Sequence, residues 1–260
     1  MWWYQYAQRH GYSYFRIVDT VPHTDEDPFG RAHSACFYTW HKIVALKHLL
    51  PLLPQCELLT VIDSDTKVAN QSIPVLDALV RDFNFTGPSM IAMSSEPDAP
   101  HNYVHSPIEN KAVLNQNTGF VAVRNRPRAA EIIMQWLSCS RRDSSQSCEE
   151  CLHGWPCEQC AWAKYIRPTL LPSEYTVLPC THFNSWPGAG AHLVGPNCDA
   201  RGGLVVQHYW TAKNVAAEHF EQELDKDPLV RQQLLAQVSE EKGTLIKMGP
   251  EDTKRVFGLA

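Results

Sequence analysis

The chain has 260 residues, of which 44% are hydrophobic and 20% are charged. This balance is typical of globular proteins, and the length suits one large domain or one domain with a tail. The net charge of -5 gives no indication of the basic face that nucleic-acid binding normally requires, so we do not expect a nucleic-acid partner. The most apolar stretch, residues 43–53, contains Lys47, His48 and Pro51. It is also shorter than the run of about 18 apolar residues that a membrane helix needs.

The first residues read as the end of a helix, with Gly11 closing it and an apolar strand following at residues 14–18. Because this pattern begins in mid-element, we expect the domain to have further structure upstream. Later elements follow in alternation. Predicted strands lie at 58–62, 90–93, 119–123 and 204–207, and predicted helices at 39–50, 74–81, 128–137 and 159–166.

Strands that alternate with helices predict an α/β domain with a mostly parallel sheet flanked by helices. Residues 138–160 are polar and cysteine-rich, which is typical of a loop or an insertion. From about residue 211 the chain becomes polar and helix-prone. We therefore expect a domain over residues 1–210 and a helical C-terminal extension over residues 211–260.

The central motif is an apolar run that ends in two carboxylates, Leu58-Leu-Thr-Val-Ile-Asp63-Ser-Asp65. In open α/β sheets, ligands bind beyond the carboxyl ends of the strands. Two aspartates one residue apart can share one hard divalent ion, Mn²⁺ or Mg²⁺, which in turn holds a diphosphate. Alternatively, the aspartates cap the following turn or are only solvated, as in most isolated Asp-x-Asp pairs.

Haloacid-dehalogenase-type phosphatases also place Asp-x-Asp after an apolar strand. Their pattern has Thr or Val two positions after the second aspartate. Here Lys67 occupies that position and Thr66 comes one residue early. A later Gly-Asp-x-x-x-Asp is also absent from the sequence, so this class is disfavoured.

The nine cysteines allow two interpretations. Cys148, Cys151, Cys157 and Cys160 form two Cys-x-x-Cys pairs that could hold a structural Zn²⁺, with His153 as a substitute ligand. The gap between the pairs is short for a zinc site, so disulfides in a secretory lumen are favoured. Two sequons, Asn70-Gln-Ser72 and Asn84-Phe-Thr86, also suit a lumen.

Six sequence blocks occur in a shared order over about four-fifths of the chain. They are Tyr6-Ala-Gln-Arg-His-Gly-Tyr12, Trp40-His-Lys42, Val61-Ile-Asp63-Ser-Asp65, Leu114-Asn-Gln-Asn117-Thr-Gly119-Phe-Val-Ala-Val-Arg124-Asn125, Trp155-Pro-Cys-Glu158-Gln159 and Val205-Val-Gln-His208. Together they resemble the GT-A glycosyltransferases of the fungal and plant galactosyltransferase and mannosyltransferase family. That family includes mannan polymerase subunits and xyloglucan xylosyltransferases. A related family of nucleotide-diphospho-sugar transferases has similar elements.

The resemblance implies a GT-A-type sheet and a Mn²⁺ (or Mg²⁺) site formed by Asp63, Asp65 and His208. The ion would hold the diphosphate of a UDP-sugar or GDP-sugar donor. Considered by itself, a histidine after Leu-Val-Val-Gln is more often a simple strand-end residue. The donor site would also include Trp40, Lys42, Ser64, Asn117, Thr118 and Gly119, with Lys213 as a weaker phosphate contact.

Glu158 and Gln159 would lie beside the transferred sugar as the catalytic pair. The residues alone leave simpler interpretations open. Trp40 and Lys42 can be one buried and one solvated helix residue, and residues 117–119 a plain turn. Glu158 can merely interact with a helix N-terminus.

The resemblance implies transfer of a hexose or pentose to a hydroxyl of a glycan or glycoprotein, with retention of anomeric configuration. It also implies a Golgi or other secretory lumen, an anchor upstream in a longer protein, and complexes with other glycosyltransferases. Two departures stand out. The strand that normally opens such a domain is missing before Tyr4, and Cys157 and Cys160 flank the Glu-Gln pair. Alternatives are a non-catalytic scaffold subunit, a truncated inactive product, and a zinc-binding interaction module.

Overall fold

A computed structural model describes residues 2–19, 36–140, 148–153, 157–185, 198, 205–209 and 244–248. The helices are α1 (Trp2–Arg9), α2 (Cys36–Leu52), α3 (Val75–Arg81), α4 (Pro127–Ser138), α5 (Glu150–His153), α6 (Cys157–Ala161) and α7 (Cys180–Phe183). The strands are β1 (Phe15–Asp19), β2 (Leu58–Ile62), β3 (Thr66–Val68), β4 (Ile91–Ser95), β5 (Tyr103–Ser106), β6 (Lys111–Leu114), β7 (Gln116–Arg124), β8 (Tyr175–Leu178), β9 (Val206–His208) and β10 (Thr244–Met248). Within these described ranges, no helix is both long enough and apolar enough to span a lipid bilayer.

The central sheet has four strands in the order β2-β7-β4-β8. β7 runs antiparallel to both β2 and β4, and only β4 and β8 are parallel. The prediction of an α/β domain is confirmed, but the mostly parallel pairing is wrong for this sheet. The chain passes from β4 to β7 through the β5–β6 hairpin and without a crossover helix, and parallel neighbours require such a crossover.

Both faces of the sheet are covered, which explains why all nine residues of β7 are buried. Val121 and Val123 face a cluster that includes residues of α2 and α4. Phe120 and Ala122 alternate to the other face, where they join a cluster that includes Tyr6 of α1. Alternate burial on two apolar faces accounts for the continuous hydrophobic run that identified this strand.

The predicted elements are confirmed with shifted boundaries. The predicted helix 39–50 extends over Cys36–Leu52, so Pro51 lies in its last turn and does not end it. The predicted helix 159–166 divides into α6 and a π-helical turn at Trp162–Ile166. The sequence did not predict β3, the β5–β6 hairpin, β8 or α7, which are short elements.

Part of the C-terminal prediction is wrong. Residues Thr244–Met248 form a strand that pairs in parallel with β1, where a helix was expected. The β-branched residues Thr244 and Ile246 favour an extended backbone when a partner strand is present. The rest of the predicted extension, including Lys213, lies outside the described residues.

Disulfides join Cys139 to Cys148, Cys151 to Cys160 and Cys180 to Cys198. Cys157 is also disulfide-bonded. The preference for disulfides is confirmed, and the structural zinc alternative is wrong. A sulfur in a disulfide has no thiolate to offer a metal ion.

Candidate active site

Asp63, Asp65 and His208 lie together at the carboxyl end of β2. One ligand atom from each side chain can be chosen so that all three lie within 4.8 Å of one another. The short strands β3 and β9 produce this arrangement, because their antiparallel register places Thr66 opposite His208. The Tyr209 N–H also donates to the Asp65 carbonyl at 2.9 Å, which ties the end of β9 to the Asp-x-Asp turn.

The turn itself is held by one side-chain hydroxyl and by backbone groups. The Thr66 hydroxyl donates to the Asp63 carbonyl oxygen at 2.6 Å. The Asp63 N–H donates to the Gly119 carbonyl of the neighbouring strand at 2.9 Å. The Asp63 carbonyl, and not its carboxylate, therefore receives the turn-closing bond, which argues against the simple turn-cap interpretation of this residue.

The His208 ring is only 4% exposed and is held on both sides. Its Nδ1 lies 3.0 Å from Asn184 Oδ1, and its Nε2 lies 3.3 Å from Asp65 Oδ1. Gly119 lies directly against the ring, because a Cβ at this position would stand 2.2 Å from His208 Cε1. Gly119 was predicted to line the sugar site; in the structure it gives the ring its space.

Lys42 of α2 links the aspartate turn to α6. Its Nζ lies 2.8 Å from Asp63 Oδ1 and 3.4 Å from Glu158 Oε1. Burial alone would lower the pKa of Lys42, but the negative charges of Asp63 and Glu158 outweigh it and raise that pKa above its ordinary value. Lys42 is therefore a fixed cation inside the site.

Glu158 and Gln159 are the second and third residues of α6 and are almost completely buried. Glu158 Oε1 accepts the Thr118 hydroxyl at 2.6 Å, and the Gln159 amide donates to the same hydroxyl oxygen at 3.3 Å. The second oxygen of Glu158 and the amide oxygen of Gln159 are buried and have no hydrogen-bond partner among the residues that the structure describes. Buried acceptors are normally satisfied, so these two atoms suit the hydroxyls of a bound ligand.

The other predicted donor-site residues are placed as follows. Trp40 is 3% exposed and belongs to the main hydrophobic cluster, so its role in this structure is packing. Ser64 is exposed in the Asp-x-Asp turn. Asn117 is buried, and its side-chain oxygen accepts the Gly119 N–H at 2.7 Å. It therefore shapes the backbone beside the site.

Sequence reasoning missed two residues, Glu96 and Asn184. The Glu96 oxygens accept hydrogen bonds from the side-chain amides of Asn117 and Asn184, each at 3.0 Å. Burial raises the pKa of Glu96, and the two amides oppose that effect. An acidic residue three positions after the predicted strand 90–93 was an available signal. Asn184 follows no recognisable pattern.

The donor set of the Asp63, Asp65 and His208 cluster fits a divalent cation. Two carboxylates and one imidazole are ligands that suit Mn²⁺. When His208 is neutral with its proton on Nδ1, Nε2 and Asp65 Oδ1 are both acceptors, and a positive charge between them relieves their repulsion. The chemistry of these side chains therefore matches the metal site that the resemblance implies.

A solved glycosyltransferase shares this architecture. The crystal structure of a glycosyltransferase involved in the glycosylation of the major capsid of PBCV-1 aligns with a TM-score of 0.59 and 16% identity, over 85% of this chain and 89% of that chain. The chain has a GT-A-type fold. Mouse xyloside xylosyltransferase 1, in its apo form, aligns with a TM-score of 0.43 and 15% identity, over 70% of this chain and 67% of that chain. No protein-family model and no curated protein matches the sequence.

Proposed function

We propose that this protein is a metal-dependent glycosyltransferase that moves a hexose or pentose from a nucleotide-diphosphate sugar to a hydroxyl of a glycan or glycoprotein. One observation carries the proposal. A cluster of Asp63, Asp65 and His208 lies at a strand end of a fold that a solved glycosyltransferase shares. Ligands bind at this edge in open α/β sheets.

Asp63, Asp65 and His208 would hold Mn²⁺ or Mg²⁺. The bound ion offsets the charge that builds on the leaving nucleoside diphosphate. Lys42 holds the Asp63 carboxylate in place and adds positive charge beside it, at 2.8 Å. UDP-sugars and GDP-sugars are the donor classes that we propose.

Glu158 and Gln159 would receive hydroxyls of the transferred sugar through the two buried oxygens that have no partner within the described part of the chain. The acceptor hydroxyl forms a bond to the anomeric carbon while the bond from that carbon to the diphosphate breaks. The hydroxyl proton leaves with the diphosphate, so an obligatory base behind the sugar is not needed. We propose retention of the anomeric configuration, in line with the sequence resemblance.

The setting that we propose is the Golgi or another secretory lumen. Three described disulfides support it, because disulfides persist in oxidising compartments. An anchor in a longer protein and complexes with other glycosyltransferases belong to the same proposal, as do donor contacts from Ser64 and Lys213.

Donor turnover tests the proposal. The protein is incubated with Mn²⁺ and a panel of UDP-sugars and GDP-sugars, and release of nucleoside diphosphate and glycan products is followed. We expect release with at least one donor, and its loss in Asp65→Asn. Asp77→Asn, the same change at an exposed residue of α3, is the matched control. Equal release by the Asp65 variant would contradict the proposal.

A further inference from the structure

We propose that Glu96 and Asn184 are positioning residues that fix His208 in the tautomer with its proton on Nδ1, so that Nε2 presents a lone pair to a metal ion. The inference rests on the proposed function, since it concerns the same metal site. It adds a cause for the orientation of His208, namely the buried carboxylate of Glu96, which lies directly after the end of β4.

The hydrogen-bond donors and acceptors dictate this tautomer. Both oxygens of the Glu96 carboxylate are acceptors, so each neighbouring amide must turn its nitrogen toward them. Asn184 Nδ2 lies 3.0 Å from Glu96 Oε2. The Asn184 oxygen is then the atom that faces His208 Nδ1, at 3.0 Å. An oxygen acceptor requires a proton on Nδ1, which leaves Nε2 unprotonated in the neutral ring.

The same carboxylate also orients the Asp63 side of the site. Asn117 donates its amide nitrogen to Glu96 Oε1 at 3.0 Å, so its oxygen faces the Gly119 N–H, at 2.7 Å. The Gly119 carbonyl in turn accepts the Asp63 N–H at 2.9 Å. Glu96 therefore supports two of the metal ligands through two separate chains of hydrogen bonds.

Because these side chains are buried, their hydrogen bonds fix their orientation. Glu96 is 8% exposed, and Asn117, Asn184 and His208 are each 4% exposed or less. Water therefore has little access to replace a lost partner, and an unsatisfied buried group is costly. Contacts of this kind around a metal ligand normally fix its tautomer and its orientation.

Replacement of Glu96 by glutamine tests the inference. Glu96→Gln keeps the shape but offers one oxygen and one NH₂ group, so either Asn117 or Asn184 must face a donor. If Asn184 turns, its nitrogen faces His208 Nδ1 and favours the Nε2–H tautomer. We expect a changed tautomer population and an Mn²⁺ affinity that is lower by roughly 10- to 100-fold.

The tautomer is read from long-range ¹⁵N–¹H spectra of the metal-free protein at mildly alkaline pH. The His208 signal is assigned by its loss in His208→Gln. Mn²⁺ alone is titrated calorimetrically into the same samples. A role in packing alone would change stability and leave the tautomer unchanged.

The exchanged pair Glu96→Gln with Asn184→Asp is the rescue variant. In this double variant, the amide at position 96 can donate to the carboxylate at position 184 and accept a hydrogen bond from Asn117. The carboxylate at position 184 accepts the hydrogen bond from His208 Nδ1. We expect the wild-type tautomer and most of the Mn²⁺ affinity to return. Asn184→Asp alone, which brings two carboxylates together, should be the least stable of the three variants.

An Nε2–H tautomer in the wild-type protein would overturn the inference. So would a folded Glu96→Gln variant with unchanged tautomer and affinity, or an exchanged pair that keeps the wrong tautomer. If Glu96→Gln does not fold, the exchanged pair decides. A wild-type protein with the expected tautomer that fails to bind Mn²⁺ would count against the proposed function and not against this inference.

Discussion

At the scale of single residues, the site depends on the absence of a side chain at Gly119. A Cβ there would meet three atoms of the His208 ring at 2.2 to 2.8 Å. The ring cannot easily yield, because it is buried and hydrogen-bonded to Asn184. The position therefore links the backbone of β7 directly to the geometry of one proposed metal ligand.

Gly119→Ala should displace His208 and reduce Mn²⁺ affinity by at least about tenfold, with roughly 1–3 kcal/mol of lost stability from overpacking. Calorimetry and urea unfolding measure the two effects. Gly87→Ala is the control, because its Cβ would meet nothing within 4 Å and its positive φ adds only local strain. Wild-type Mn²⁺ affinity in the Gly119 variant would contradict the role given to this contact.

Lys42 holds two carboxylates that would otherwise repel each other. Lys42→Met should lower the free energy of unfolding by about 3 kcal/mol, the low end for a broken buried ion pair, because Asp63 is 31% exposed. Adding Glu158→Gln should restore part of the lost free energy of unfolding, because it removes one of the two carboxylate charges that Lys42 no longer balances. Urea unfolding measures both variants.

Lys111→Met is the matched control for Lys42→Met. Lys111 forms an ion pair with Glu109, and its side chain is 63% exposed. The free energy of unfolding should therefore change by no more than about 0.5 kcal/mol. If Lys42→Met were as mild as this control, Lys42 would not be the central cation of the site.

At the scale of elements, Tyr6 joins α1 to α3. Its hydroxyl donates to the Ile73 carbonyl at 2.5 Å and accepts the Val75 N–H at 2.5 Å. Val75 is the first residue of α3, and its N–H has no partner inside the helix. The phenol therefore acts as an N-terminal cap supplied by another helix. Burial raises the pKa of Tyr6 to about 12.

This pKa predicts an alkaline loss of stability. The folded state keeps the Tyr6 proton longer than the unfolded chain, whose phenol ionises near pH 10. The stabilisation is complete below about pH 10 and is lost as pH rises toward about 12. Tyr6→Phe should lower stability by about 1–2 kcal/mol at neutral pH and flatten the alkaline decline. Parallel alkaline declines in urea unfolding of both proteins would refute the assignment.

The sequence predicted those elements whose pattern lies within a short stretch of the chain. β7 is recognisable because a buried strand requires a continuous apolar run, and the half-buried β2 carries such a run as well. β3 has only three residues and exists through its pairing with β9, which no local pattern around residues 66–68 encodes. The antiparallel direction of β7 likewise depends on the path of the intervening hairpin.

Prediction of the site residues from the sequence has the same limit. Asp63, Asp65 and His208 were predicted through motif order, and the structure brings them together. The contact between Asn184 and Glu96 spans 88 residues of chain, so their partnership is visible only in three dimensions.

At the scale of the whole molecule, the proposed luminal setting predicts glycosylation. Asn84 is exposed in a loop with φ 51, and the Thr86 hydroxyl donates to its Oδ1 at 3.1 Å. When the chain is expressed through a secretory pathway, Asn84 should carry an N-linked glycan that an amidase removes with a mobility shift. Asn84→Gln should abolish that shift, apart from any contribution from Asn70.

Asn110→Gln is the matched control, because Asn110 is also exposed with φ 51 but lies outside any sequon. This variant should keep the full mobility shift. A secreted, folded chain without any glycan at either sequon would contradict the luminal setting.

The central claim is that Asp63 and Asp65 hold a metal ion that binds the donor diphosphate. Calorimetric titration of UDP or GDP in the presence of Mn²⁺, into the wild-type chain and an Asp63→Ala, Asp65→Ala double variant, tests it most directly. We expect Mn²⁺-dependent binding that disappears in the variant while both proteins remain folded. Nucleotide binding that is unchanged in the variant, or absent from a folded wild-type chain, would contradict it.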